Sequence, residues 1–420
     1  MGDIRIGANA RIGAGAVVSR DVPAGATVVA QPPPDSGEDV RKMEETPLSR
    51  TGRAWREVDG RALAHNARLL QGLLAPGCRL MAVVKAEAYG HGAVWAAQTL
   101  EAHGVDAFAV ACLSEGVALR RAGISGVILV LGWTPPEQAP LLAAYGLTQA
   151  VADAAHGLTL SAQGVELKVH LALDTGMHRL GIPAEDTAAI AHMFALPHLK
   201  VEGVFSHLCV SDGNSEQDRA FTARQLEVFY RAAEELQQRG LDPGALHIQA
   251  SYGLCRLPPQ PCQYARPGIA LYGAASSPDL PLGVAGLEPV LSLRARVVSV
   301  RTLPAGCGAG YGLAFQAMED RRLAVVSIGY ADGLPRALSQ RGGQVLLGGA
   351  RRPMVGRMCM DQLLVDVTDG PEVAAGDVAT LISQDGGARI SAEEVARQCG
   401  TIANELLSRL GPRLPVVPLV

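Results

Sequence analysis

The sequence predicts a (β/α)8 barrel of the TIM type followed by a β-rich C-terminal domain. From about residue 55, eight short β-branched runs alternate with longer stretches of helical periodicity. Eight strands that alternate with helices over about 220 residues fit the eight strand–helix units of this barrel. Beyond about residue 290, strand-like runs are separated by glycine and proline turns, which predicts the β-rich domain. A doubly wound sheet is the alternative, but no G-x-G-x-x-G motif follows the first strand.

The same patterns predict the bounds of the individual strands and helices. The predicted barrel strands are Met81–Val84, Ala107–Cys112, Val127–Leu131, Thr148–Ala152, Leu167–Leu173, Val201–Ser206, His247–Ala250 and Ile269–Tyr272. Helical periodicity predicts helices at Ala62–Leu74, Ala93–His103, Glu115–Ala122 and Ser215–Arg239. The C-terminal strands are predicted within residues 291–303, 321–330, 344–358, 362–369 and 376–382.

The N-terminal residues have a different pattern. Residues 1–30 contain Ile-Gly and valine positions at six-residue spacing, which resembles the parallel β-helix coils of hexapeptide acyltransferases. Stable repeat units need about three stacked neighbours, so we interpret this stretch as a remnant without activity of its own. A docking strand for a partner coil is the alternative. Residues 31–50 are rich in proline, serine and charged residues, which predicts a linker. The predicted domains are therefore the barrel at 51–285 and the β-rich domain at 286–420.

Composition and charge exclude several classes of protein. The 420-residue chain has a formal net charge of −4 and 48% hydrophobic residues. It contains no run of about five or six like charges, so we expect neither a nucleic-acid binder nor a membrane protein. Eight scattered cysteines without a C-x-x-C spacing argue against a zinc ribbon or a dense disulfide framework. These features predict a cytoplasmic protein without a metal site.

Lys85 is the candidate reactive group. The chain has four lysines, and Lys85 directly follows the apolar run Met81–Val84. It should therefore lie at the C-terminal mouth of the barrel, where such barrels carry their reactive groups. Loss of hydration there lowers the pKa of an amine and makes it a competent nucleophile. From position alone, a surface lysine is the alternative.

The nine residues Val84 to Gly92 (VKAEAYGHG) closely resemble the pyridoxal-phosphate lysine motif of alanine racemases. Further matches follow in the family's order at residues 173–181 (LDTGMHRLG), 206–207 (SH), 266–269 (RPGI), 310–312 (GYG), 329–333 (GYADG) and 356–361 (GRMCMD). The resemblance runs from about Trp55 to Pro415. It implies a barrel that binds pyridoxal 5′-phosphate (PLP), a β domain, and a head-to-tail homodimer with shared active sites.

The resemblance also implies residue roles. Lys85 would bind PLP as a Schiff base and act as one of two bases, with Tyr311 of the partner subunit on the opposite face of the substrate carbon. Arg266 would face the pyridine nitrogen. Further cofactor contacts are implied for Tyr89, His207, Ser251, Gly268, Ile269 and Tyr330. Contacts to a small amino-acid substrate are implied for Arg179, Met360, Asp361 and Asn404.

Two departures from the family pattern refine the interpretation. Ala172 stands where many members carry a carbamylated lysine that steadies the arginine corresponding to Arg179. Asn404 stands where a tyrosine usually covers the substrate side chain, and its amide could meet a substrate hydroxyl. Together with this asparagine, the segments at 174–181 (DTGMHRLG), 205–212 (FSHLCVSD) and 247–254 (HIQASYGL) resemble the racemase domain of VanT-type serine/alanine racemases of vancomycin resistance. We therefore expect a racemase for alanine and serine that supplies D-amino acids for peptidoglycan.

Two other functions are compatible with a lysine at the end of a barrel strand. One is a non-catalytic PLP-binding or homeostasis protein, but such proteins lack a β domain. The other is a related decarboxylase or aldolase with a barrel and a β domain. A decarboxylase would carry a Cys-Glu-Ser-type motif and a glycine-rich phosphate loop, and the sequence shows neither.

Overall fold

The structure is a computed structural model that describes residues 5–12, 21–28 and 52–419, and it divides into residues 1–52 and 53–420. In the first unit, β1 (Arg11–Ile12) and β2 (Thr27–Val28) pair in parallel, and Ile6 forms a parallel bridge with Val22. Much of the six-residue repeat, at 13–20 and 29–30, and the whole predicted linker lie outside the described residues. The hexapeptide appendage therefore stays a prediction.

The second unit begins with β3 (Ala54–Asp59) and continues into a barrel. The strands that follow are β4 (Arg79–Leu80), β5 (Ala82–Val83), β6 (Ala107–Val110), β7 (Val127–Val130), β8 (Thr148–Val151), β9 (Leu167–Asp174), β10 (Ile182–Pro183), β11 (Leu199–Phe205), β12 (Ala245–His247) and β13 (Tyr264–Ala265). The helical segments among them are α1 (Gly60–Gln71), α2 (Lys85–Gly90), α3 (Ala93–Ala102), α4 (Leu113–Arg121), α5 (Ala139–Ala144), α6 (Ala154–Ser161), α7 (Thr187–Phe194), α8 (Glu216–Gln238) and α9 (Ser251–Arg256).

Parallel pairing closes these strands into a barrel. Neighbouring strands pair in the order β5, β6, β7, β8, β9, β11 and β12. The ring closes through β13, because Gln263 donates to the carbonyl of Leu246 on one side and Met81 donates to the carbonyl of Ala265 on the other. The β4 and β5 segments together form the first strand position. This confirms the barrel and places the carboxyl ends of its strands at one mouth.

The predicted eighth strand is wrong in position. Residues Ile269–Tyr272 form a 3₁₀ helix, and the eighth strand lies earlier, at β13. All four residues of the 3₁₀ helix are buried, and a short apolar run of this kind fits a buried helix as well as a buried strand. The correction matters because Arg266 then follows a strand, at the barrel mouth, rather than opening one.

The helices begin where side chains satisfy their free N–H groups. Asp59 caps α1 by accepting from the amides of Arg61 and Ala62. Ser215 and Asp218 form a reciprocal capping box at the start of α8. The predicted helices that correspond to α1, α3, α4 and α8 lie within three residues of these bounds.

The C-terminal half forms a second sheet. Its elements are β14 (Leu291–Leu303), β15 (Gly308–Ala309), β16 (Phe315–Gln316), β17 (Arg321–Val326), β18 (Gln344–Leu347), β19 (Ala350–Val355), β20 (Leu363–Asp366), β21 (Val378–Asp385), β22 (Ala388–Ile390), α10 (Ala392–Cys399), α11 (Ala403–Ser408) and β23 (Val416–Leu419). Strand β14 pairs with both β17 and β21, so a closed ring forms in the order β14, β17, β20, β19, β18 and β21, while β15 and β16 pair only with each other. Alternate residues of β14, from Leu291 to Val297, point into its core.

Strand β3 belongs to this second sheet although it precedes the barrel in sequence. It pairs antiparallel with β14 and parallel with β23. Arg56 of β3 is buried and donates hydrogen bonds to the carbonyls of Gly90, Leu410 and Leu414. This guanidinium therefore ties the second sheet and the C-terminal segment to the loop that follows Lys85. Among the described residues, no helix is long and apolar enough to cross a membrane.

Candidate active site

A cavity of about 700 Å³ opens at the barrel mouth. The predicted site residues that line it are Lys85, Tyr89, Arg179, His207, Ser251, Arg266, Gly268, Ile269 and Asn404. They come from the loops after several different strands, which is how barrels of this type build their sites. Asn404 comes instead from α11 of the C-terminal half, so both halves of the chain contribute to one cavity.

A left-handed turn fixes the direction of Lys85. Ala86, Glu87, Ala88 and Tyr89 all have φ between 52° and 55°, a conformation that costs L-residues roughly 1–2 kcal/mol each. Lys85 at the start of this turn and Tyr89 at its end both line the cavity. Strain of this kind persists only where the surroundings hold the backbone firmly.

Several hydrogen bonds hold the turn. His91 Nδ1 lies 2.9 Å from the carbonyl oxygens of both Ala88 and Tyr89, so this nitrogen carries the proton and donates. The amide of Gly92 donates to the carbonyl of Glu87, and the amide of Ala93 donates to its carboxylate. His91 also stacks on Tyr272, with ring centroids 4.4 Å apart. The buried imidazole thus adds a side-chain donor to the two carbonyls at the end of the left-handed turn.

The Lys85 amine lies in a positive environment. Burial lowers its pKa, the Arg179 and Arg266 guanidinium groups lower it further, and the carboxylate of Glu115 opposes them. The same charges act on His207, where burial, Arg266, Arg179 and Lys85 lower the pKa to about 3. A neutral amine is the nucleophilic form of lysine, so this environment favours covalent chemistry at Lys85.

Arg266 lies at the base of the cavity with only 4% of its surface exposed. It donates to the carbonyl of Ser206 at 2.7 Å and to both the carbonyl and Nδ1 of His247, the latter at 2.6 Å. Because arginine has no acceptor atom, His247 Nδ1 accepts, and its Nε2–H donates to His170 Nδ1 at 2.7 Å. Burial lowers the pKa of Arg266 only to about 10, so the group stays charged.

Tyr89, Ser251 and Gly268 form a cradle at one end of the cavity. Ser251 Oγ accepts hydrogen bonds from the amides of Gly268 and Ala270, at 2.9 and 3.2 Å. A Cβ atom at Gly268 would lie 2.5 Å from the hydroxyl oxygen of Tyr89, so only glycine allows the tyrosine to approach. The hydroxyls of Tyr89 and Ser251, which lie beside this run of backbone amides, are groups that can bind a phosphate.

Arg179 and Asn404 are two cavity residues with unused polar groups. Arg179 is exposed and makes no hydrogen bond or ion pair to any described residue, in keeping with Ala172 at the carbamylated-lysine position. The side-chain oxygen of Asn404 is buried and has no hydrogen-bond partner in the described part of the chain. A buried polar atom without a partner is rare, and at a cavity wall it marks a place for a ligand group.

Four predicted site residues lie away from this cavity. Tyr311, Met360 and Tyr330 are exposed on the C-terminal half by 65%, 51% and 38%. Asp361 is also exposed and pairs with Arg413 at 2.6 Å. The chain does not bring these residues to its own Lys85, so their predicted roles require a second subunit.

Two groups of residues that support the site were not predicted from the sequence. His170 and His247, which support Arg266, lie in predicted buried strands, and a polar residue within an apolar strand was the available signal. Glu115 accepts hydrogen bonds from the amides of Ala86 and Ala111, both at 2.7 Å. No sequence signal separates this glutamate from an ordinary residue of a helix's first turn.

Fold and site together define a class of protein: a barrel with an attached β domain and a reactive lysine at the barrel mouth. The sequence pattern described as the alanine racemase N-terminal domain matches residues 58–276, and the alanine racemase C-terminal domain matches residues 290–418. The chain therefore belongs to the alanine racemase family.

Individual relatives support the same family assignment. The chain is 44% identical to an amino-acid racemase of Enterococcus faecalis and 38% identical to a serine/alanine racemase of Enterococcus gallinarum, with 87% and 89% of its length aligned. It spans about half the length of these two proteins, 52% of each. It is 39% identical to an alanine racemase of Desulfovibrio desulfuricans, covering 97% of that protein and 86% of its own length.

Solved structures show the same fold. The alanine racemase of Bacillus anthracis with bound L-Ala-P has a TM-score of 0.82 at 32% identity, covering 88% of this chain and 95% of that one. The alanine racemase of Streptomyces lavendulae has a TM-score of 0.80 at 34% identity, covering 90% and 98%.

The buried histidines predict a loss of stability in mild acid. Burial lowers the pKa of His91 and of His170 from 6.5 to about 4. Between these values the unfolded chain binds protons that the folded chain does not, so the free energy of unfolding falls as the pH drops from about 6.5 towards 4. For His91 alone the loss at pH 5 is about 2 kcal/mol.

Urea unfolding at pH 7 and pH 5 measures this loss. His91→Asn keeps a donor for the two carbonyls, and we expect its stability to depend less on pH than that of the wild type. His103→Asn changes an exposed histidine and should keep the wild-type dependence. Equal pH dependence in all three proteins would contradict the assignment of His91 as a neutral structural donor.

Proposed function

We propose that the protein is a PLP-dependent racemase that interconverts L- and D-alanine, and L- and D-serine. The observation that carries the proposal is the half-buried Lys85 amine, with its lowered pKa, directed into a cavity that also contains the Tyr89–Ser251–Gly268 cradle. The covalent group and the phosphate-binding groups that PLP needs lie together at the barrel mouth. We further propose that it acts in the cytoplasm and supplies D-amino acids for peptidoglycan.

The residues present fit PLP at three points. Lys85 supplies the amine that binds the cofactor's aldehyde, and the cradle of hydroxyls and amides suits its phosphate. Arg266 supplies a buried donor for the pyridine nitrogen and, with a pKa of about 10, does not give up its proton near neutral pH. When bound, PLP supplies an electron sink that allows the substrate's α-carbon to lose its hydrogen.

The chain's own residues then move the proton. The Lys85 amine takes it from, or returns it to, the α-carbon on one face. The phenol of Tyr311 of the partner subunit exchanges a proton with the α-carbon on the other face. Because the two bases lie on opposite faces, either enantiomer can be formed. Arg179 has no ion pair within the described residues and is therefore available for the substrate carboxylate. Backbone amides of Met360 and Asp361 of the partner subunit would complete the contacts to that carboxylate.

Serine recognition rests on Asn404. Its unpartnered side-chain oxygen can accept a hydrogen bond from a substrate hydroxyl. When alanine is bound, this buried oxygen would have no hydrogen-bond partner, whereas the hydroxyl of bound serine would supply one. Such a site favours serine. The similarity to a serine/alanine racemase of Enterococcus gallinarum agrees with this assignment.

Racemisation itself is tested by the loss of optical activity. We expect the purified protein with PLP to racemise L-alanine and L-serine, and Lys85→Ala to lower the rate by about 10³-fold or more because it removes a base. Lys85→Ala should also lose the visible absorbance of bound PLP. Lys200→Ala changes an exposed lysine outside the cavity and should keep both properties. Wild-type protein that binds PLP without racemising either amino acid would favour the PLP-carrier function instead.

The shared active site is tested by mixing two inactive variants. Lys85→Ala and Tyr311→Phe each remove one base, and random reassembly gives mixed dimers with one intact site. We expect about a quarter of the wild-type activity to return. Mixing Lys85→Ala with Lys85→Met should restore nothing. A mixture of the first pair that also stays inactive would contradict the assignment of Tyr311 to the partner's site.

The role of Asn404 is tested by comparing kcat/KM for L-serine and L-alanine. Asn404→Tyr should lower the serine-to-alanine ratio by about tenfold, because the hydrogen bond to the substrate hydroxyl is lost. Asn404→Ala keeps the room but removes the amide, so its ratio should fall as well. If Asn404→Ala keeps the wild-type ratio, pocket size alone governs the preference. An unchanged ratio in Asn404→Tyr would end the serine assignment.

A further inference from the structure

We propose that Glu115 is a positioning residue that clamps the left-handed turn after Lys85 and so holds the Lys85 amine and the Tyr89 hydroxyl in the cavity. The inference rests on the proposed function for its consequences, but its geometric basis is independent of that function. Glu115 lies in the first turn of α4, after the neighbouring barrel strand β6.

The two carboxylate oxygens of Glu115 bind two different loops. Oε1 accepts from the amide of Ala86, the first left-handed residue after Lys85, at 2.7 Å. Oε2 accepts from the amide of Ala111, in the loop after β6, also at 2.7 Å. A glutamate that only capped its own helix would bind the amide of the N-cap residue Cys112, whereas Glu115 binds the amides of Ala111 and Ala86 instead. The contact to Ala86 therefore points to a role beyond helix capping.

The turn needs such a clamp on its exposed side. His91 supports it from the buried side through the carbonyls of Ala88 and Tyr89. The amide of Ala86 has no backbone acceptor among the described residues, and Glu115 is its partner. Without this partner, the first residue of a strained segment would lose the contact that fixes its direction. Lys85 immediately precedes it, so the direction of the amine would become less defined.

Charge supports the same role. Glu115 is the group that raises the pKa of Lys85 against burial and the two neighbouring arginines. One carboxylate therefore both orders the backbone beside the amine and offsets part of the positive field around it. The ordering of the backbone and the effect on the charge both act on Lys85, and each is tested by a different measurement.

The central test compares Glu115→Gln with Glu101→Gln. Glu101 is the matched control, because its carboxylate accepts hydrogen bonds from the amide and hydroxyl of Ser125, at 2.8 and 2.9 Å. Neither Glu101 nor Ser125 lines the cavity. Hydrogen–deuterium exchange should become faster in the peptide covering residues 85–92 for Glu115→Gln only. Unchanged exchange there, or equal acceleration in Glu101→Gln, would overturn the proposal.

A second measurement follows the amine itself. The pH dependence of Lys85 acetylation, read by mass spectrometry on the cofactor-free protein, should shift its midpoint to lower pH in Glu115→Gln. Glu115→Asp keeps the charge but is one methylene shorter, so we expect faster exchange with a midpoint close to that of the wild type. A midpoint that Glu115→Gln leaves unchanged would contradict the electrostatic part of the role and with it the proposal.

The affinity for PLP links the clamp to function. Titration followed by visible absorbance should show PLP binding weakened roughly tenfold to a hundredfold in Glu115→Gln, as expected for a lost hydrogen bond to a charged group, and unchanged in Glu101→Gln. Failure of the proposed function would show itself differently, as wild-type protein that does not bind PLP or does not racemise. The exchange and acetylation results decide the role of Glu115 in that case too.

Discussion

One buried positive charge governs the site. Arg266 is fixed by two carbonyls and by His247, and it is nearly closed off from solvent. Its charge contributes to lowering the pKa values of Lys85, His170, His207 and His247. Burial is the larger cause of each of these shifts, and the permanent cation at the base of the barrel adds to it, so both favour the neutral forms of the surrounding groups. Neutral histidines can complete the hydrogen-bond chain from Arg266, and a neutral Lys85 amine can react.

The sequence predicted the architecture and the cavity walls for a physical reason. Buried parallel strands give continuous apolar runs, and the loops after them carry the reactive residues, so Lys85 could be placed at the mouth from its strand end. Arg179 and His207 were assigned through the resemblance to alanine racemases. The eighth strand was misplaced because the run Ile269–Tyr272 is apolar on every side, and periodicity cannot separate a buried turn from a strand. The error moved Arg266 to the wrong end of the strand without changing its assigned role.

The left-handed backbone conformation after Lys85 could not be predicted from the sequence. Four consecutive left-handed residues after Lys85 include no glycine, and alanine, glutamate and tyrosine carry no preference for that region. The turn exists because partners distant in sequence hold it: Glu115 from the next loop, and Arg56 from β3 through the carbonyl of Gly90. Contacts of this kind depend on the finished fold, so propensity alone could not predict them.

The substitution at Ala172 changes how the substrate carboxylate would be bound. A carbamylated lysine beside the arginine would neutralise part of its charge and hold its side chain. Here Ala172 is buried and has no polar group, and Arg179 is exposed without an ion pair in the described part of the chain. The arginine therefore keeps its full charge near Lys85, whose pKa it helps to lower. An incoming substrate carboxylate would supply a counter-charge to Arg179. Substrate binding would thus order Arg179 and reduce the positive field on Lys85 in the same step, at the point where the amine must begin to take up a proton.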